Sequence, residues 1–229
     1  MMTNTIALLI VSPTFDIPTS LSAIAANDLT TFLKAHNIQF EAMFGLLPGR
    51  FYFETYLKTH PNIQAIFYLG HGSEQKLYGS EIFWAMLDTE NDSILKDKIV
   101  FTMACLSSVE LGPDAIKKGC KAYFGHTVLY NAAYSDESHE FLGDWIDYVT
   151  HVPKMLAQGA TCGSAFAAYK SKLAGYVNMY KTFAEDPAKY GNADWVYTTA
   201  KSNLDNAQLL GDLNARISLP APNTEGFAP

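Results

Sequence analysis

A-I-F-Y-L-G-H-G, residues 65–72, is a short unbroken apolar run stopped by a histidine between two glycines. Such a run is too short for a helix and has no polar side, so it predicts a strand, Ala65–Leu69, buried on both faces. Working outward, the same signal recurs at Ile6–Val11, which stops at Ser12-Pro13, at Ile38–Phe44, at Ile99–Ala104, which runs into Cys105, and at Cys120–Phe124. Helical patterns lie between these runs. Leu21–His36 carries Leu21, Ile24, Leu29, Phe32 and Leu33 at helical spacing, Phe51–Thr59 is a shorter helix, and Pro113–Lys118 ends at Gly119. Apolar strands alternating with helices predict an α/β fold: a three-layer α/β/α sandwich around a mostly parallel sheet.

The second half continues less regularly. Ile82–Leu87 is apolar and short. Ser138–Val149 is amphipathic, with Phe141, Trp145 and Tyr148 on the face expected to join the core. Met155–Phe183 holds two helical stretches, one before Gly159 and one from Thr161 onward, and Asp186–Gly191 is a polar break. Trp195–Leu210 reads as a helix followed by a short strand at Ala207–Leu210. One domain, residues 1–217, is expected, with 218–229, which holds three prolines and no periodic pattern, as a loose tail.

Composition narrows the function. The chain has 229 residues, 48% hydrophobic and 17% charged, which excludes an intrinsically disordered protein. Its formal charge of -7, with no cluster of Lys and Arg, argues against nucleic acid or an anionic membrane as partner. The cysteines are only three, Cys105, Cys120 and Cys162, without a CxxC pair. That is neither a disulfide framework nor a zinc site, and free thiols fit a reducing, cytoplasmic setting. Ile6–Val11 is too short to span a membrane and has no preceding basic residue, so it reads as a strand rather than a signal peptide. Ser12–Thr19 has hydroxyls in the manner of a phosphate loop, but it lacks glycine and contains two prolines, which donate no N–H. His126, His139 and His151 have no ligand partners at helical spacing, and Cys120 and Cys162 are expected to be buried and inert. No cofactor is implied; a calcium requirement is left open.

In a parallel sheet, ligands gather beyond the carboxyl ends of the strands. The reactive residues at two of those ends are His71 and Cys105. A thiolate attacks a carbonyl and needs a base beside it, which an imidazole on a neighbouring strand end supplies. Gly70 and Gly72 let the backbone approach a substrate closely, and the N–H groups of Gly72 and Cys105 are candidate oxyanion donors. In related chemistry, losing one such donor costs about 3 kcal/mol. Ser107-Ser108 would cap the next helix and bring its positive end near the thiol.

F-Y-L-G-H-G at 67–72, V-F-T-M-A-C-L-S-S at 100–108 and G-C-K-A-Y-F-G-H-T at 119–127 together resemble the caspase-like fold of clan CD cysteine peptidases, with the gingipain-like, separase-like and CHAT-domain proteases nearest. N-L-D-N-A-Q-L-L-G-D at 203–212 is similar to an end motif of such domains, with Leu213 where proline is common. The resemblance implies a cysteine endopeptidase acting on protein or peptide substrates. His71 would be the acid–base, Cys105 the nucleophile, and no carboxylate third member is assigned. It also places Met103 where legumain-like members carry a pocket aspartate. Asp136, then Glu137, become the candidates to recognise a Lys or Arg before the scissile bond.

The short interval between Cys105 and Lys121 leaves no room for the cleavable linker of caspases, and Asp88–Lys98 is read as a possible regulatory loop, self-processed at Lys96 or Lys98. The self-cleaving domains of large toxins need a basic cleft for inositol hexakisphosphate, which the acidic charge disfavours. From a different class, a non-catalytic caspase-like adaptor is the alternative, and retention of both His71 and Cys105 argues against it.

Overall fold

The computed structural model describes residues 6–80, 84–133 and 141–218. Its strands are β1 (Leu8–Pro13), β2 (Phe40–Gly45), β3 (Ala65–Leu69), β4 (Lys76–Tyr78), β5 (Ala85–Asp88), β6 (Ile99–Met103), β7 (Ala122–His126) and β8 (Ala207–Gly211). Its helices are α1 (Ile17–Ala35), α2 (Arg50–Thr59), α3 (Leu111–Lys117), α4 (Leu142–Val149), α5 (His151–Ala157), α6 (Cys162–Ala184), α7 (Pro187–Tyr190) and α8 (Ala193–Asn206).

Six strands form one sheet in the order β2-β1-β3-β6-β7-β8, parallel except for β8, which pairs antiparallel with β7; β4 and β5 form a separate hairpin. Strands β1, β3, β6 and β7 are buried along their whole length, which is why they read as unbroken apolar runs. Successive side chains still point to opposite faces. Leu8, Ile10, Phe67, Phe101 and Phe124 join a core with α1, α4, α5, α6 and α8, while Leu9, Val11, Tyr68, Val100 and Tyr123 join one with α2, α3 and the hairpin. The architecture is the expected α/β/α sandwich.

Several boundaries move for local reasons. α1 starts at Ile17 rather than Leu21, because Asp16 caps it through a reciprocal box with Thr19 and a proline fits its first turn. The amphipathic segment expected from Ser138 is helical from Leu142, its first residues lying outside the described ones; Trp145 and Tyr148 are buried as expected. Ser107-Ser108 does not cap a helix. α3 begins only at Leu111 with no side-chain cap, six residues beyond the thiol. Ser107 instead turns its Oγ to Thr102 Oγ1, 2.7 Å away, inside the sheet–helix packing. Within Asp88–Lys98, a 3-10 turn forms at Asp92–Leu95, and Lys98 is buried with its ammonium donating to the Ile63 carbonyl at 2.9 Å, out of reach as a processing site.

Candidate active site

The strand order brings three chain segments to one edge. β1 lies between β2 and β3, so the chain leaves β1 in one direction and returns on its other side. That reversal opens a crevice beyond the carboxyl ends of β1 and β3. Asp16 follows β1, His71 follows β3, and Cys105 follows β6, the next strand over.

Leu69 is paired with Met103 in the β3–β6 ladder, and the Gly70 N–H donates to the Met103 carbonyl at 3.3 Å. His71 and Cys105 therefore each lie two residues beyond a matched pair, and both line one cleft of about 450 Å³. Its walls also include Met103, Tyr130, Ala132 and Trp145.

The imidazole is fixed from several sides. His71 Nε2 lies 2.8 Å from Asp16 Oδ2, and the ring packs against Phe15 with centroids 5.7 Å apart. The buried Tyr68 hydroxyl sits 2.6 Å from the His71 carbonyl and 2.7 Å from that of Tyr78. Asp16 also accepts at Oδ1 from the Thr19 amide (2.9 Å) and hydroxyl (2.6 Å). Partial burial opposes its ionisation, but the Thr19 bonds and His71 outweigh that and hold its carboxyl below the usual value. An ionised Asp16 makes Nε2 the protonated nitrogen, which leaves the Nδ1 lone pair for proton transfer. Asp16 was not singled out in the sequence, where it stood in a proline-flanked loop; the available signal was an N-cap residue directly after the first strand.

Cys105 opens a turn tied to the end of β7: Leu106 N–H donates to Val128 O at 2.9 Å and Ser108 N–H to His126 O at 3.1 Å. Leu106 adopts the left-handed region with φ 55°, uncommon for a branched side chain and costly by about 1 kcal/mol or more. The thiol lies 3.6 Å from the Tyr130 carbonyl. Burial pushes the Cys105 thiol above its ordinary value, and backbone hydrogen bonds at Tyr130 and at Cys105 itself offset only part of this. The group rests as a thiol and needs a base to become a nucleophile.

Gly72 abuts the Cys105 turn: a Cβ there would lie 2.9 Å from Ala104 Cβ and 3.1 Å from the Cys105 carbonyl oxygen. It bridges to Leu77 through bonds made by its neighbours, Ser73 N–H to Lys76 O and Tyr78 N–H to His71 O, so the bridge does not use its own N–H. Met103 is buried in the cleft wall. Asp136 and Glu137 lie outside the described residues, as does His139. His126 does not line this cleft: it is buried at the end of β7 behind Tyr130, ring centroids 4.6 Å apart, and neither ring nitrogen has a hydrogen-bond partner among the described residues. Burial pushes it down to about 3, which keeps it neutral. Cys120 and Cys162 are buried free thiols, each pushed up to about 12 by burial. Among the described residues, no group of three or more His, Cys, Asp or Glu could hold a metal ion, and no helix is long and apolar enough to cross a membrane.

The mostly parallel six-stranded sheet with helices on both faces is a caspase-like fold. No family model and no curated protein matches the chain. Among solved structures it is similar to the Arg-specific cysteine proteinase gingipain R, with a TM-score of 0.56 and 13% identity over 93% of this chain and 48% of that one. The chain thus spans about half the length of that proteinase chain, and the likeness is one of fold.

Proposed function

We propose that the chain is a cysteine peptidase in which Cys105 attacks the scissile carbonyl and His71 moves the proton. The observation that carries this reading is the shared cleft: an imidazole and a thiol stand at matched positions beyond two paired strands, with the imidazole's far nitrogen held by a carboxylate. His71 Nδ1 takes the thiol proton as the C–S bond forms, and the tetrahedral oxyanion is met by the N–H groups of Gly72 and Cys105. The same proton passes to the departing amine as the C–N bond breaks, leaving a thioester. Water, deprotonated by His71, then attacks the thioester; the thiolate leaves, is reprotonated, and a carboxylic acid product is released. Asp16 acts as a positioning residue that fixes the tautomer and steadies the imidazolium.

Gingipain R, to whose structure the chain is similar, is Arg-specific. A basic preference here would need a carboxylate in the cleft, and its candidates, Asp136 and Glu137, are outside the described residues.

The test is hydrolysis of a fluorogenic peptide mixture by the wild type, Cys105→Ala and His71→Ala. Both substitutions are expected to lower turnover by about 10³-fold or more while leaving the thermal midpoint nearly unchanged. Wild-type turnover no higher than that of Cys105→Ala would instead support the non-catalytic adaptor.

A further inference from the structure

Resting on the peptidase reading, we infer that the cleft beside Cys105 receives an apolar or aromatic side chain of the substrate, that of the residue immediately before the scissile bond. Its described walls carry no Asp, Glu, Lys or Arg side chain. Met103, Ala104, Ala132 and Trp145 supply an apolar floor continuous with the core. At the mouth stand Ile17, on the first turn of α1, and Trp195, on α8, which remain 78% and 48% exposed. Large apolar groups left that open at a cleft entrance gain by closing on an apolar guest.

Several polar groups in the same wall are already committed. Thr19 Oγ1 belongs to the Asp16 capping box, Ser22 Oγ donates to the Pro18 carbonyl at 3.1 Å, and the Asn131 carbonyl accepts from Asn203 Nδ2 at 2.8 Å. Asp16, the carboxylate bonded to His71, spends one oxygen on Thr19 and the other on His71. A guanidinium or ammonium entering this space would give up water and find no carboxylate on the described walls, an exchange that disfavours it. An apolar side chain loses nothing in the same move and buries surface against Trp145 and Trp195. The volume, about 450 Å³, accommodates a side chain as large as that of Phe or Leu.

Peptidyl acyloxymethyl ketones that differ only at the residue next to the ketone test this directly. The Cys105 thiolate forms a C–S bond to the probe's methylene carbon as the carboxylate leaves, and mass spectrometry locates the adduct. Leu or Phe probes are expected to label Cys105 at least about 10-fold faster than Lys, Arg or Asp probes. Trp195→Ala is expected to slow the Phe probe about 5- to 10-fold. The rate with iodoacetamide, which makes no use of the cleft, stays within about 2-fold, and this separates lost recognition from a disturbed thiol. Faster labelling by Lys or Arg probes overturns the apolar assignment while leaving the peptidase standing. Equal rates for all probes overturn it too, as does indifference of the Phe probe to Trp195→Ala. No Cys105 adduct from any peptidyl probe, with iodoacetamide still reacting, overturns the peptidase reading and this assignment together.

Discussion

Asp16 does two jobs with its two carboxylate oxygens. Oδ1 caps α1 and Oδ2 orients His71, so replacement by Ala would mix a folding defect with a catalytic one. Asn separates them, because it caps helices about as well as Asp but carries no charge. Asp16→Asn is expected to lower kcat about 10- to 100-fold with little change in KM, since the loss falls on the imidazolium formed during proton transfer. The pH dependence of stability has a definite sign. The folded carboxyl is held below its ordinary value near 3.8. Its stabilising contribution is therefore complete above that value and is lost as pH falls through the lower folded one. Denaturant midpoints of wild type and Asp16→Asn should differ most above about pH 5 and converge toward pH 2. A constant gap would show that the charge contributes nothing to the fold.

At the scale of elements, the turn that carries Cys105 is held by packing rather than by a helix end. Gly125 on β7 makes room for it: a Cβ there would lie 2.5 Å from both Ser107 Oγ and Ser108 Oγ, and 3.0 Å from Thr102 Oγ1. Gly125→Ala is expected to destabilise by about 1–3 kcal/mol and to lower activity, because relieving the clash shifts the nucleophile turn. Adding Ser107→Ala should restore part of both, and strict additivity in the double-mutant cycle would refute the contact. This clash was not legible in the sequence, and the reason is general to the molecule. The fully buried strands were readable because burial on both faces writes apolar residues at every position, and Ala65–Leu69 came out with its exact limits. β4 was missed because Lys76–Tyr78 pairs in a hairpin with only Leu77 fully buried. The antiparallel direction of β8 was likewise not foreseen, since a short apolar run at Ala207–Leu210 carries no orientation. His71 and Cys105 could be found because each lies two residues past the end of a readable strand. Asp16 could not, because its meeting with His71 depends on β1 and β3 being neighbours, a property of the crossover rather than of either segment.

For the whole molecule, the question is what closes the sheet opposite the edge that carries His71 and Cys105. The segment after β8 returns beneath the strands and stitches distant parts together. Asp212 N–H donates to Lys121 O (2.7 Å), Leu213 and Ala215 carbonyls accept from Gly163 and Cys162 at the start of α6 (each 2.8 Å), and Ser218 exchanges two bonds with the Gln64 side chain (each 2.9 Å). Ala215 and Ile217 are buried in the larger core. α6 has no acidic residue in its first turn, and beyond its Thr161 cap these carbonyls satisfy its leading amides. Ile217→Ala should therefore cost about 2–4 kcal/mol, the transfer loss plus an unfilled cavity. A chain ending at Gly211 should lose more than that, because it also strips the partners from the amides of Cys162 and Gly163. Chemical denaturation followed by tryptophan fluorescence measures both. If the shortened chain unfolds at the wild-type midpoint, the stitch is decorative, and α6 is held by its packing in the core, chiefly against α8 and α5.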